Sequence, residues 1–131
     1  QNKEKGAFVL CLTSNDSAKE IQLFENGTDA LYQFISKLGD NLNTSNNIGL
    51  VVGATNPSFM EQIRVMNSLP WLIPGIGAQG GDLEQSVTIS NKNNSIGLIN
   101  VSRGIIFAGN SSIEDIKNAA KYYNDNINGY N

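Results

Sequence analysis

The sequence predicts an α/β fold in which four successive βα units build a parallel sheet. Four short β-rich apolar runs recur along the 131 residues, at Ala7–Leu12, Ile48–Val52, Trp71–Ile73 and 96–101, and a helical pattern follows each. The runs are continuous rather than alternating in polarity, as strands covered on both faces are. A hydrophobic content of 40% with 16% charged residues describes one globular domain large enough to bury a core.

The elements follow in order. The first run holds the single cysteine, Cys11, expected as a small buried hydrophobe, and ends at Thr13-Ser14-Asn15. Those hydroxyls and that amide suit a heterocycle or a turn cap equally. Residues 28–38 carry Leu31, Phe34, Ile35 and Leu38 at helical spacing, with Gly39 as the expected stop and an Asn-rich surface loop over 40–47. After the second run, Asn56 is placed to cap a helix that opens on Pro57, whose missing N–H is harmless there, and Phe59, Ile63 and Met66 line one side of it. A shorter helix is expected from Asp82. The last spans 112–126, where Ser112-Ile113-Glu114-Asp115 resembles a capping box with Asp in place of Glu, and Ile116, Ala120 and Tyr123 follow at turn spacing. The polar tail 124–131 is expected to fray.

Consecutive βα units imply right-handed crossovers. Two closures remain open: a doubly wound open sheet, or a (β/α)8 barrel of about 250 residues, of which these four units are half. The chain opens Gln1-Asn2-Lys3 without an initiator Met, as expected of a processed or excised piece.

The chemistry concentrates where strands end. Pro74-Gly75-Ile76-Gly77-Ala78-Gln79-Gly80-Gly81-Asp82 runs from a strand through four glycines into a helix start. Backbone N–H groups in such a loop approach an anion without interference from Cβ atoms, and the helix dipole favours negative charge. The run 96–101 ends in Ser102-Arg103-Gly104, which puts a guanidinium and a hydroxyl at the next strand end, and phosphate fits a bidentate fork beside amides. Gly75 to Gly80 also matches G-x-G-x-x-G, but a dinucleotide fingerprint expects an acidic residue about 20 positions on, and Asn100 and its neighbours supply none. In (β/α)8 barrels phosphate sites commonly follow the last two strands, as these two loops do.

Composition narrows the remaining classes. A net charge of −3 argues against nucleic acid as a partner. Histidine is absent, so a His-based triad is excluded and no zinc ligand set exists; one cysteine forbids an internal disulfide. No apolar run reaches the roughly 18 to 20 residues of a membrane span, and no signal peptide opens the sequence, so the expected location is cytoplasmic.

The segments Phe8 to Asn15, Val51-Val52-Gly53-Ala54-Thr55, Pro74 to Asp82 and Ile99-Asn100-Val101-Ser102-Arg103-Gly104-Ile105 together resemble the last four strand ends of the orotidine 5'-phosphate decarboxylase family, in the subgroup with a Pro-Gly-x-Gly-Ala-Gln-Gly-Gly-Asp loop. The resemblance spans nearly the whole chain. It implies the C-terminal half of a (β/α)8 barrel that converts orotidine 5'-monophosphate to UMP and CO2 without cofactor or metal, usually as a homodimer. It further implies that Gln79, Ser102 and Arg103 bind the substrate phosphate, and that Thr13, Ser14 and Pro74 border the pyrimidine. The family's catalytic lysine and aspartates belong to an Asp-x-Lys-x-x-Asp signature on earlier strands, so no catalytic residue is expected in this chain, and its partner would be the N-terminal half of the barrel. Asp115-Ile116-Lys117-Asn118-Ala119-Ala120 begins like that signature but ends in Ala on the last helix, and reads as a solvated face. Rival readings are another phosphosugar-binding barrel lyase or isomerase, and a non-catalytic half-barrel that binds nucleotides.

Overall fold

The computed structural model describes residues 2–15, 17–25 and 27–130. Four parallel strands, β1 (Ala7–Leu12), β2 (Ile48–Val52), β3 (Trp71–Ile73) and β4 (Gly97–Ile99), pair in the order β1-β2-β3-β4. Helices α1 (Ala18–Gln22) and α2 (Leu31–Leu42) join β1 to β2, α3 (Pro57–Met66) joins β2 to β3, and α4 (Leu83–Ser90) joins β3 to β4. A four-residue α5 (Arg103–Ile106) and the long α6 (Ile113–Gly129) follow.

The strand order selects between the two closures left open by the sequence. A doubly wound sheet reverses its order at a switch point, whereas here each new strand adds beside the last, and crossovers of one hand then lay the helices on a single face. Burial follows. Leu50 pairs with Trp71 in register, and both are 0% exposed beneath the helices. The alternate row Leu10, Val51, Leu72 and Leu98, paired strand to strand, lies on the other face. Leu10 and Leu98 at its ends remain 52% and 43% exposed. An apolar row of that kind is what a barrel turns inward.

The core joins Cys11, Leu50, Val52, Met60, Ile63, Trp71 and Ile73. Cys11 is buried as expected; its thiol donates to Tyr32 O at 3.2 Å, and burial pushes its pKa up to about 12. Arg64 is buried too. Its guanidinium lies 3.7 Å from the centroid of Trp71, Nη1 donates to Leu69 O at 2.9 Å, and burial lowers its pKa to about 10, which leaves it charged at neutral pH.

Several caps form as the sequence predicts. Asn56 Oδ1 accepts from Phe59 N with Pro57 in the first turn, Asp82 Oδ1 accepts from Gln85 N, and Ser112 and Asp115 form the reciprocal box at α6. Other boundaries differ. Gly39 does not stop α2, which runs on to Leu42. A Cβ at Gly39 would stand 3.2 Å from Leu50 Cδ2 and 3.4 Å from Leu69 Cδ1, so the glycine serves close helix-to-sheet approach. The expected loop over 40–47 is therefore partly helix, and Asn43 Oδ1 organises the rest by accepting from Asn47 N and Ile48 N. The fourth strand is shorter than 96–101, although Ile96 O and Asn100 N still bond to β3. The helix α6 reaches Gly129 rather than fraying at 124, with Lys121 paired to Asp125 on its surface; Asn131 lies outside the described residues.

The Cys11 environment sets a pH dependence. A folded-state pKa above the unfolded value near 9.0 means that the native state holds its proton more tightly, so this contribution is complete below about pH 9 and is lost as pH rises toward 12. At about pH 8, labelling by Ellman's reagent should therefore track global unfolding, with negligible labelling of the native protein. Rapid stoichiometric labelling without loss of structure would contradict the packing around β1.

Candidate phosphate and base site

The C-terminal ends of all four strands share one rim, and the loops leaving them converge there. At the first two ends the backbone closes tightly: Gly53 N donates to Leu12 O at 2.8 Å, and a Cβ at Gly53 would stand 2.7 Å from Ser14 N. Thr13 is fixed from α1, because Gln22 Oε1 accepts from both Thr13 N, at 2.8 Å, and Thr13 Oγ1, at 3.3 Å.

The glycine loop after β3 is a folded object. Gly75, Gly77 and Gly80 adopt φ of +101°, +74° and +81°, values that side chains with a Cβ rarely take. Gly80 N bonds to Gly77 O and Gly81 N to Gly75 O, while Ile76 is buried and anchors the turn. Asp82 then caps α4. Held by these bonds, Gln79 projects at the tip, and Ser14 Oγ donates to its Oε1 at 2.7 Å. That bond ties the loop after β1 to the loop after β3 and leaves the Gln79 Nε2 hydrogens for another acceptor.

Two cavities open on the rim and Gln79 lines both. The first, of about 270 Å³, is bordered by Thr13, Ser14, Asn15, Thr55, Asn56 and Phe59. The second, of about 160 Å³, lies between Pro74, Gly75, Ala78 and Asn100 with Ser102 and Arg103 opposite. Arg103 opens α5 and is exposed, and among the described residues no carboxylate pairs with it. It is also the one charged side chain among the described residues lining either cavity. An unneutralised guanidinium facing amide-rich backbone attracts an anion and offers no proton acceptor.

The six residues singled out in the sequence thus divide into two groups. Thr13 and Ser14 line the larger cavity, Pro74, Ser102 and Arg103 line the smaller, and Gln79 joins them. Pro74 stands on the Arg103 side rather than with Thr13 and Ser14. Gln22, Thr55 and Asn100 were not singled out. Gln22 and Thr55 act through tertiary bonds that no local pattern marks, whereas the position of Asn100 directly after an apolar run was a usable signal. Lys117 and Asp115 lie on α6 and line neither cavity. Hydrogen bonds from Ser112 Oγ and the Asn110 and Ser112 amides hold the Asp115 pKa below its ordinary value. Among the described residues no cluster of acidic or sulfur ligands could hold a metal, and no helix is long and apolar enough to cross a membrane.

Comparison with known proteins agrees with this geometry. Orotidine 5'-phosphate decarboxylase of Natronomonas pharaonis is 42% identical over 113 residues, 86% of this chain and 42% of that protein. The enzyme of the same name from Azoarcus sp. is 40% identical over 97% of this chain and 49% of its own length. The chain thus spans between two-fifths and one-half of these curated relatives. The solved structure of Leishmania donovani UMP synthase superposes on 98% of the chain with a TM-score of 0.88 at 38% identity, covering 28% of that protein, and L. donovani OMP decarboxylase does so with 0.85 at 35%, covering 49%. The sheet described above is accordingly half of the (β/α)8 barrel seen in those structures. Residues 1–119 match the family model described as orotidine 5'-phosphate decarboxylase / HUMPS, and with a singly wound sheet, a glycine loop and a free arginine on one rim, the chain belongs to that family.

Proposed function

We propose that this half-barrel is the C-terminal part of an orotidine 5'-phosphate decarboxylase, converting orotidine 5'-monophosphate to UMP and CO2 in de novo pyrimidine synthesis. One observation supports this above the others: the unpaired Arg103 faces the glycine loop across a small cleft whose shared wall, Gln79, is bonded to Ser14 of the larger cavity. In this reading Arg103, Gln79 and Ser102 take the phosphate, while Thr13, Ser14 and Pro74 border the pyrimidine.

The reaction breaks the bond between the pyrimidine ring and its carboxylate, leaves the electron pair on the ring carbon and ends when that carbon takes a proton. The residues of this chain bind and orient. Contacts to a phosphate remote from the reacting carbon close the loop, exclude water and stabilise the transition state at a distance. The proton and the cation facing the developing carbanion come from the preceding half of the barrel, so the reading requires that half as a partner and requires no metal or cofactor. It further takes the complete enzyme to be a cytoplasmic homodimer.

In the complete polypeptide, Arg103→Ala should weaken UMP binding by about ten- to a hundredfold, the loss of a charge-assisted contact worth roughly 1.5 to 3 kcal/mol, and leave uridine binding nearly unchanged. Titration calorimetry reads both. Equal losses for the two ligands would reject Arg103 as the phosphate group's partner, and preference for a sugar phosphate without a pyrimidine would favour another barrel lyase or isomerase.

The division of labour has a second consequence. Residues 1–131 alone should show no loss of orotidylate absorbance, and co-expression with the preceding half of the same barrel should restore decarboxylation. Leu10 and Leu98 at the two edges of the sheet favour that association. Decarboxylation by the 131 residues alone, free of host enzyme, would overturn this placement of the reacting groups.

A further inference from the structure

Tyr123 enters the sequence pattern as one apolar position on the last helix, yet its hydroxyl ends at the functional rim. A Cβ built on Gly77 would stand 2.7 Å from Tyr123 Oη. A Cβ built on Gly104 would also stand 2.7 Å from that oxygen, and 3.3 Å from Cζ. Gly77 belongs to the glycine loop that carries Gln79, and Gly104 follows Arg103 in α5. A single phenol oxygen therefore separates the two segments that face the candidate phosphate cleft.

The two glycines differ in what they reveal. Gly77 has φ +74° and would be glycine for conformation alone. Gly104 is not among the positive-φ glycines and lies within a helix, where alanine is the better residue by about 1 kcal/mol. Its lack of a side chain is explained by what stands against it, Tyr123 and Val101 Cγ1. The phenol is itself held. Its ring packs on the core and meets Tyr122 edge-on at 5.4 Å, and among the described residues its hydroxyl makes no hydrogen bond, so the contact acts through shape.

We propose that Tyr123 is a positioning residue, a spacer between the Gly77 turn and the Gly104 turn that sets Gln79 and Arg103 at the separation one phosphate group requires. The proposal rests on the phosphate-binding reading given above and adds to it a residue that touches no substrate.

Three variants of the complete polypeptide test it by titration with UMP and with uridine, with melting temperatures followed in parallel: Gly104→Ala, Tyr123→Phe, and the two combined. The added methyl meets the phenol oxygen and displaces Arg103, so Gly104→Ala should lower UMP affinity by about tenfold or more while uridine affinity holds. Tyr123→Phe removes one oxygen and should cost several-fold in UMP alone. Combined, the methyl fills the space the oxygen left, so the double variant should bind UMP better than Gly104→Ala does, the non-additivity expected of groups in contact. The Val101 contact is common to both alanine variants and cancels. A double variant no better than Gly104→Ala, or losses shared equally by uridine, would overturn the spacer role while the parent's preference for UMP keeps the phosphate reading. A parent that binds UMP no better than uridine would reject both.

Discussion

The one-directional winding of the sheet is the constraint from which the rest of the structure follows. Because each strand adds beside its predecessor, crossovers of one hand place the helices on one face, and the buried set Leu50, Val52, Trp71 and Ile73 looks toward them. The same winding puts every strand's C-terminal end on one rim, so loops far apart in sequence become neighbours. It also leaves the row from Leu10 to Leu98 facing away from the helices, a face with no cover within the described residues. The sheet thus gathers its loops on one rim and leaves one apolar face open.

The proposed grip on a phosphate rests on a single cation, glycine turns fixed by their own hydrogen bonds, and a glutamine shared by two cavities. Among the described residues lining either cavity there is no carboxylate, thiol or lysine. The Ser14 to Gln79 bond links the two cavities.

How much of this was legible in the sequence depends on the range of the interactions involved. Strands, caps and the glycine loop were readable because Asn56, Asp82, Ser112 and the glycines act within a few residues of themselves. The six candidate residues read from the family pattern line two cavities on one rim. Gly39 misled, since a helix stop and a close approach to Leu50 ask for the same residue. The short helices α1 and α5 were missed because segments of five and four residues gain their stability from packing. The stacking of Arg64 on Trp71 and the reach of Tyr123 from the core to the rim were not read at all. Those facts are long-range, and no local spacing records them.

In the function proposed above, Arg103 and the glycine loop form one phosphate site. The most direct measurement is a crystal structure of the complete polypeptide with UMP bound. The phosphate is expected between the Gly75 to Gly80 turn and Arg103, within hydrogen-bond distance of the guanidinium and of Gln79 Nε2, with the base toward Thr13 and Ser14. A nucleotide bound with its phosphate elsewhere, and Arg103 turned to solvent, would contradict it.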